Sequence, residues 1–409
     1  MRVSRVILPL VLLLGAGTLR ADDLDGPAVE ALASGQAVLA VAICDSALAM
    51  HPGEPGLLAV RGEAELVLGH VAAARRDLHA VAKRSRDWRR RVADPLSRAE
   101  LLHGNDDAAE DLVRYLDIPT GAALEVVIHG PFGGRLGDVA AVASGRTEHY
   151  LVFSDVGLTD GVVANLRLRG EPFAPCRSVR EVGRLLEASR RACQQFFPVP
   201  ETKGLVLRAY VFRAQEEFQL FGELLEGETP RDDDGDFFEE TRVIAVDAVG
   251  GLGEDARDTI FHESFHQLVS FYAPSIPSWL DEGLAEWFGA VAEGPSGELV
   301  VGALKKTNDE SETRYETILA AFKDGKALPL GEFVALDDEE FQVEDDLDRN
   351  YAEGWSIAHF LMAKHRSLVT GYLRLLHEGR THDEAFEATF GREDLDALDK
   401  EWRRYVLGL

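Results

Sequence analysis

Two histidines and a glutamate form the strongest chemical pattern in the sequence. They are His262, Glu263 and His266, within the stretch Asp258 to Val269. Side chains four residues apart project from one face of a helix, so both imidazoles can reach a single cation. Zinc accepts such nitrogen ligands, and three protein ligands leave one tetrahedral position open for a water whose proton a neighbouring carboxylate can take. The pattern predicts one catalytic Zn2+ per chain, with Glu263 as general base.

A third ligand is required, and the segment after the histidines offers several carboxylates. A short turn containing prolines leads into a second helical pattern that carries Asp281, Glu282 and Glu286. The turn is short enough to bring the two helices together antiparallel. We expect Glu282 to be the ligand, because Gly283 beside it permits close approach. Asp281 and Glu286 stay open as alternative ligands, and two ordinary core histidines are the alternative to a metal site.

This pattern resembles the gluzincin metallopeptidases. The matching residues are His262, Glu263, His266 and Trp279 to Glu286. The resemblance implies peptide-bond hydrolysis, with Glu282 as third zinc ligand and Glu286, one turn further, orienting a histidine ligand. An exposed helix charge is the alternative for Glu286. Related peptidases often stabilise the oxyanion with a tyrosine or histidine from a later helix, and Tyr351 is the candidate here; the alternative is a tyrosine that anchors the start of its helix.

A longer part of the chain, from about Glu148 to Leu409, resembles an uncharacterised bacterial gluzincin-like family. This is a domain of unknown function (DUF1570) often found with tetratricopeptide repeats. The matching stretches are His149 to Asp155, Val206 to Phe221, the two metal segments, Tyr351 to Leu361 and Phe390 to Val406.

Three glycines recur at nearly constant spacing in the amino-terminal part of the chain. Gly35, Gly69 and Gly104 are 34 and 35 residues apart, and an alanine follows each of them five residues later. This is the period of a helical hairpin, in which glycine forms the tight turn. The pattern resembles the tetratricopeptide repeat (TPR) and implies about three helical pairs that contact a protein partner or the rest of the chain. Chance spacing in alanine-rich helices is the alternative.

The periodicity changes after residue 121 and predicts the α+β class. Short β-type runs occur at Ala123 to His129, His149 to Ser154, Leu205 to Phe212 and Val243 to Val249, helical patterns at Val179 to Phe196 and Glu216 to Leu225, and the chain is nearly all helical after Leu252. We predict an all-α TPR-like domain over 22–120, followed over 121–409 by a zincin-like domain with a small mixed sheet and a helical carboxy-terminal half. By family resemblance, Val243 to Val249 is the expected sheet edge for an extended peptide.

Composition excludes several function classes. The 409 residues include 43 Lys and Arg against 71 Asp and Glu, for a net charge of −28, which repels phosphate backbones and argues against nucleic acid.

Arg2 and Arg5 before a short apolar run predict a signal peptide over 1–21, and hence an exported protein, periplasmic or secreted, with no membrane span once it is removed. Whether Cys176 and Cys193 pair stays open.

Three hypotheses follow. The leading one is an exported zinc-dependent peptidase that acts on a peptide or protein substrate. The alternative is a catalytically silent gluzincin-like binding module whose TPR-like repeats recruit a protein partner, and a third is hydrolysis of a non-peptide amide, such as a cell-wall bond. Glu263 favours an enzyme, because a binding module needs no base there. Acidic stretches at 232–240 and 337–348 lead us to expect that cationic substrates are attracted to the cleft.

Overall fold

The computed structural model describes residues 25–129, 144–156, 177–199, 204–226, 234–294, 298–303, 309–391 and 394–409. The predicted signal peptide, Cys176 and part of the acidic stretch 232–240 lie outside these residues. Cys44 and Cys193 are buried free thiols. None of the described helices is long and apolar enough to cross a membrane.

The described amino-terminal part is helical. Its helices are α1 (Gly26–Ala33), α2 (Ala37–Met50), α3 (Pro55–Val67), α4 (Val71–Ala82), α5 (Arg86–Arg91), α6 (Ala93–Leu102), α7 (Asp106–Val113) and α8 (Ile118–His129). Gly35, Gly69 and Gly104 lie in the turns α1–α2, α3–α4 and α6–α7, with φ of 75°, 73° and 74°. Only glycine adopts this left-handed conformation without steric cost. The predicted helical pairs are therefore confirmed, with the short α5 inserted before the third pair.

A small mixed sheet follows the helices. Its strands are β1 (Ser144–Arg146), β2 (Tyr150–Ser154), β3 (Leu207–Phe212), β4 (Gly235–Phe238) and β5 (Val243–Asp247), in the order β1-β2-β3-β5-β4. Strands β2, β3 and β5 are parallel, while β1 and β4 pair antiparallel at the two ends of the described sheet. The prediction that Val243 to Val249 forms an edge is wrong, because β4 forms a hairpin with β5 and covers it.

The prediction of a strand over Ala123 to His129 is also wrong. These residues belong to helix α8, which buries Leu124 and Val127 against aromatic residues of the sheet. A short apolar run does not distinguish a strand from a buried helix, and packing decides between them here. The boundary predicted between residues 120 and 121 falls inside this helix, so α8 links the repeats to the sheet.

Helices cover both faces of the sheet. Helices α9 (Arg177–Cys193) and α10 (Gln215–Glu226) confirm the two helical patterns predicted between the strands. Alternate residues of a strand point to opposite faces. Accordingly, Tyr210 and Phe212 of β3 pack with Phe218 and Phe221 of α10, whereas Ala209 belongs to the main core on the other face. That main core runs from the repeats into the carboxy-terminal helices.

The rest of the described chain is almost all helical, as predicted. It contains α11 (Glu254–Tyr272), α12 (Ser278–Gly289), a two-stranded ribbon of β6 (Ala292–Glu293) and β7 (Leu299–Val300), α13 (Asp309–Asp324), α14 (Leu330–Phe333), α15 (Asp338–Phe341), a 3-10 turn (Glu344–Asp346), α16 (Leu347–Lys364), α17 (Arg366–His377), α18 (His382–Thr389) and α19 (Leu395–Val406). Helix α11 lies against β4 and β5, and α12 packs between α11 and α16. A Cβ atom added to Gly283 of α12 would lie 2.5 Å from the carbonyl oxygen of Gly354 on α16, so this crossing requires glycine.

Hydrogen bonds join the repeats to the rest of the chain at several places. Gln36 Nε2 donates to the carbonyl oxygen of Gly379, just after α17, at 2.9 Å. Elsewhere, the backbone N–H of Val206 donates to the carbonyl of Leu102 at 2.6 Å, and Arg98 donates to the carbonyl oxygen of Glu240 at 2.9 Å. The turn between α1 and α2 is therefore held close to the carboxy-terminal helices.

Candidate metal centre

Three predicted ligands converge between two helices. His262 and His266 lie one turn apart on α11, and Glu282 lies on α12. The distances are 3.2 Å between the two Nε2 atoms, 3.7 Å from His262 Nε2 to Glu282 Oε2, and 3.6 Å from His266 Nε2 to the same oxygen. Within the described part of the chain, these residues are the group whose donor atoms could hold a metal ion.

The spacing of these atoms fits a tetrahedral zinc ion. With zinc bonds of about 2.05 Å, two ligands of a tetrahedron lie about 3.3 Å apart. The three edges of 3.2, 3.6 and 3.7 Å come within about 0.4 Å of that value. The donors are two imidazole nitrogens and one carboxylate oxygen, a set that catalytic zinc sites use. The residues present would therefore hold zinc with a fourth position open.

The site is buried on one side and open on the other. His266 and Glu282 are 2% and 5% exposed. The side chain of His262 is 22% exposed. The opening therefore lies on the side of His262. The orientation of α11 is fixed by buried apolar neighbours of the two histidines: Phe261, Phe265, Leu268 and Val269.

The electrostatic environment favours a cation. Burial lowers the pKa of an imidazole, but the surrounding carboxylates outweigh this effect at both histidines. Asp281 and Glu282 raise the pKa of His266 to about 10. Glu282 and Glu263 raise the pKa of His262. A positive charge at this place is thus stabilised by the protein, and a metal cation can supply it.

Glu263 is a buried carboxylate next to the ligands. It is 6% exposed, and burial raises its pKa, an effect that His262 and His266 partly offset. Strand β4 fixes its position, since a Cβ atom on Gly235 would lie 2.9 Å from Glu263 Cγ. A carboxylate whose pKa is raised from its ordinary value is suited to accept and return a proton near neutral pH.

The carboxylate closest to the outer nitrogen of a ligand is Asp281. Its Oδ1 lies 3.0 Å from His266 Nδ1, whereas Nε2 of the same ring points to the metal position. A carboxylate in this position can orient a histidine whose other ring nitrogen binds a metal ion. The predicted residue for this role, Glu286, instead accepts from Arg314 Nε at 3.2 Å, although its charge also acts on His262. In the sequence, Asp281 stands out only as an alternative ligand. Its position next to Glu282 is the signal that could have indicated a contact with a ligand histidine.

Tyr351 is the fifth residue of α16. Its ring contacts Phe341 at 5.5 Å between centroids, and the guanidinium of Arg314 lies 4.9 Å above it. The same helix carries Gly354, which packs against Gly283 beside Glu282. Tyr351 thus lies on α16, which packs against α12, the helix that carries Glu282. Arg314 contacts both Tyr351 and Glu286. Its role in stabilising an oxyanion stays a prediction.

Residues 257–380 match the family model described as Protein of unknown function (DUF1570). The matched segment contains all the metal-site residues and Tyr351. It confirms the resemblance to this domain for these residues, and it assigns no activity. No curated protein matches the chain.

Proposed function

We propose that the protein is a zinc-dependent peptidase of the gluzincin type. The observation that carries the proposal is the joint position of four residues: His262, His266 and Glu282 at tetrahedral spacing, with buried Glu263 beside them. A site that only binds metal has no need of a carboxylate held in this way. The donor set supports zinc as the metal, and the helix pair on a mixed sheet supports a zincin-like fold.

The chemistry is hydrolysis of a peptide bond. When bound, zinc lowers the pKa of a coordinated water and polarises the carbonyl of the substrate. Glu263 accepts one proton from the attacking water, whose oxygen forms the new bond to carbon. The carbon–nitrogen bond then breaks, and Glu263 returns the proton to the leaving amine. Asp281 keeps His266 in orientation, and Tyr351 is the proposed donor to the developing oxyanion.

Strand β4 supports an extended peptide as substrate. It ends the described sheet on the side of α11, and its first residue, Gly235, lies against Glu263. A peptide that adds to this edge as a further strand would place its backbone beside the general base. This edge replaces the one predicted at Val243 to Val249.

The three helical pairs support a TPR-like assignment. Gly62 is small where α3 and α4 meet, because a Cβ atom there would lie 2.7 Å from Leu78 Cγ. Small residues at this crossing are what a repeat of paired helices requires. We propose that the repeats contact a protein partner and that the protein acts after export, as the predicted signal peptide implies.

Two substitutions on one helix test the proposal. The protein should bind about one zinc per chain, and Glu263→Gln should keep the zinc but lose cleavage of an unstructured protein by at least about 10³-fold. Glu254→Gln is the matched control, since its side chain is 52% exposed on the same helix. His262→Ala should lose the zinc.

Two outcomes would contradict the proposal. Unchanged zinc content in His262→Ala would remove the metal site. If the zinc-loaded protein cleaves nothing, or if cleavage persists in Glu263→Gln, the peptidase proposal is refuted and a binding module is favoured.

A further inference from the structure

A cavity of about 480 Å³ lies beside the metal centre. Its volume is within the range of about 300–1,000 Å³ that ligand sites have. His266 and Asp281 contribute to its wall, together with Val269 and Ser270 on the following turn of α11. The cavity is therefore separated from the metal position by one imidazole ring.

The cavity lies along the proposed path of the substrate. Gly235, at the start of β4, contacts Glu263, while Phe237 and Glu239, further along, line the cavity. Two residues of a strand span about 7 Å. A peptide lying on β4 with its cleaved bond at Glu263 would therefore place a side chain about two residues away at the mouth of the cavity.

The lining combines apolar walls with negative charge. Apolar contacts come from Phe237, Val269, Ile276 and Leu336, and the carboxylates are Glu239, Asp281, Asp337 and Asp338. Among the described lining residues there is no Lys or Arg. The opposing charges nearby are His266, which pairs with Asp281, and Arg242, which contacts the lining residue Ser270 and on which the charge of Glu239 also acts. Apolar walls suit the methylene stem of a long side chain, and the carboxylates suit a cation at its end.

The carboxylates differ in the contacts that they already make with other residues of the protein. Asp281 contacts His266, and Asp338 Oδ1 accepts from Ser278 Oγ at 2.6 Å. Asp337 caps α15 by accepting from the backbone N–H of Glu340. Within the described part of the chain Glu239 forms no salt bridge, whereas the adjacent Glu240 lies 3.6 Å from Arg98. Glu239 is therefore the carboxylate best placed to pair with a ligand.

The repeats supply one wall of the cavity. Ala33, at the end of α1, and Ser34 and Gly35, in the turn before α2, line it together with residues of the loop after α11. The hydrogen bond from Gln36 to Gly379 holds this turn in place. The first repeat is therefore part of the cavity wall.

We propose that this cavity is a specificity pocket for a cationic side chain, lysine or arginine, about two residues from the cleaved bond. The proposal rests on the proposed peptidase function and names its substrate class. Glu239 pairs with the cation, and the first repeat closes the pocket.

Peptides that differ in one side chain provide the test. Arginine is compared with neutral citrulline, and lysine with norleucine, at each of three positions on both sides of the cleaved bond. We expect arginine to exceed citrulline in kcat/KM by about tenfold or more at one position, and Glu239→Gln to reduce that ratio about tenfold, equal to about 1.4 kcal/mol. Glu240→Gln removes the same charge from the next residue and should leave the ratio unchanged.

A second pair of variants tests the wall formed by the repeats. Ser34→Arg places a cation at the cavity and should lower the arginine-to-citrulline ratio, while Ser46→Arg, exposed on α2 away from the cavity, should not. Cleavage that depends on Glu263 but shows no preference for cations, or a ratio unaffected by Glu239→Gln and Ser34→Arg, overturns the pocket and leaves the peptidase standing. If no cleavage depends on Glu263, the peptidase proposal is refuted, and the proposal of a specificity pocket is refuted with it.

Discussion

Asp281 and Glu286 offer a sharp test of how the metal centre is organised. Both are acidic residues on α12, but only Asp281 lies beside the outer nitrogen of a ligand, 3.0 Å from His266 Nδ1. His266 is 2% exposed, so protein neighbours surround its ring almost completely. We therefore expect zinc affinity to depend on Asp281 much more than on Glu286.

The size of the effect follows from what each substitution removes. Asp281→Ala removes the carboxylate that faces His266 Nδ1, and the loss of a residue that contacts a metal ligand in this way weakens metal binding about 10–100-fold. Asp281→Asn keeps an accepting oxygen but loses the charge, so we expect the zinc affinity to fall about tenfold. Glu286→Gln keeps an acceptor for Arg314 and should change the affinity less than about threefold.

The assay is a competition titration of metal-free protein and zinc against a chelating dye at fixed pH. The melting temperature of each metal-free variant shows whether folding is intact. Wild-type affinity in both Asp281 variants, or a loss in Glu286→Gln as large as in Asp281→Ala, would refute the assignment of Asp281.

Three further predictions concern packing and charge. Gly235→Ala forces Glu263 to move and should lower kcat about tenfold or more with zinc content unchanged, as measured by peptide cleavage and metal analysis. Gly283→Ala should lower the free energy of unfolding by about 1–3 kcal/mol in denaturant titrations, whereas Gly371→Ala, with open space around it, should raise it by about 0.5–1 kcal/mol. Burial, with Asp94 nearby, raises the pKa of Glu63 in α3 from 4.5 to about 8. The folded state therefore binds the Glu63 proton more tightly than the unfolded state does. This proton contributes fully to the stability of the fold below pH 4.5, and the contribution falls by up to roughly 5 kcal/mol as the pH rises to about 8. Glu63→Gln should lessen the drop in Tm between pH 5 and pH 8.

The local parts of the site were predictable from the sequence. The i, i+4 spacing of His262 and His266 fixes their common face, and Gly283 indicates the close helix crossing that brings Glu282 to them. The turn glycines of the repeats were predictable for the same reason, because a backbone conformation with positive φ restricts the residue type at a single position.

The contacts between distant segments were not predictable. The pairing of Glu286 with Arg314 joins residues 28 positions apart, and only the packing of α13 decides it. In the same way, β4 covers β5 through a hairpin that begins in the acidic stretch 232–240, and the composition of this stretch does not indicate a strand. The apolar run Ala123 to His129 suggests a strand, but an apolar run of this length fits a buried helix equally well.

The uneven exposure of the ligands has a kinetic consequence. His266 and Glu282 are enclosed, and solvent reaches the metal position from the side of His262. An ion entering the site therefore meets His262 first, and an ion that leaves must release the two buried ligands before it detaches from His262. Removal of the ion by a chelator should thus be limited by passage through the opening at His262, so that a small chelator removes the ion faster than a bulky one of equal affinity.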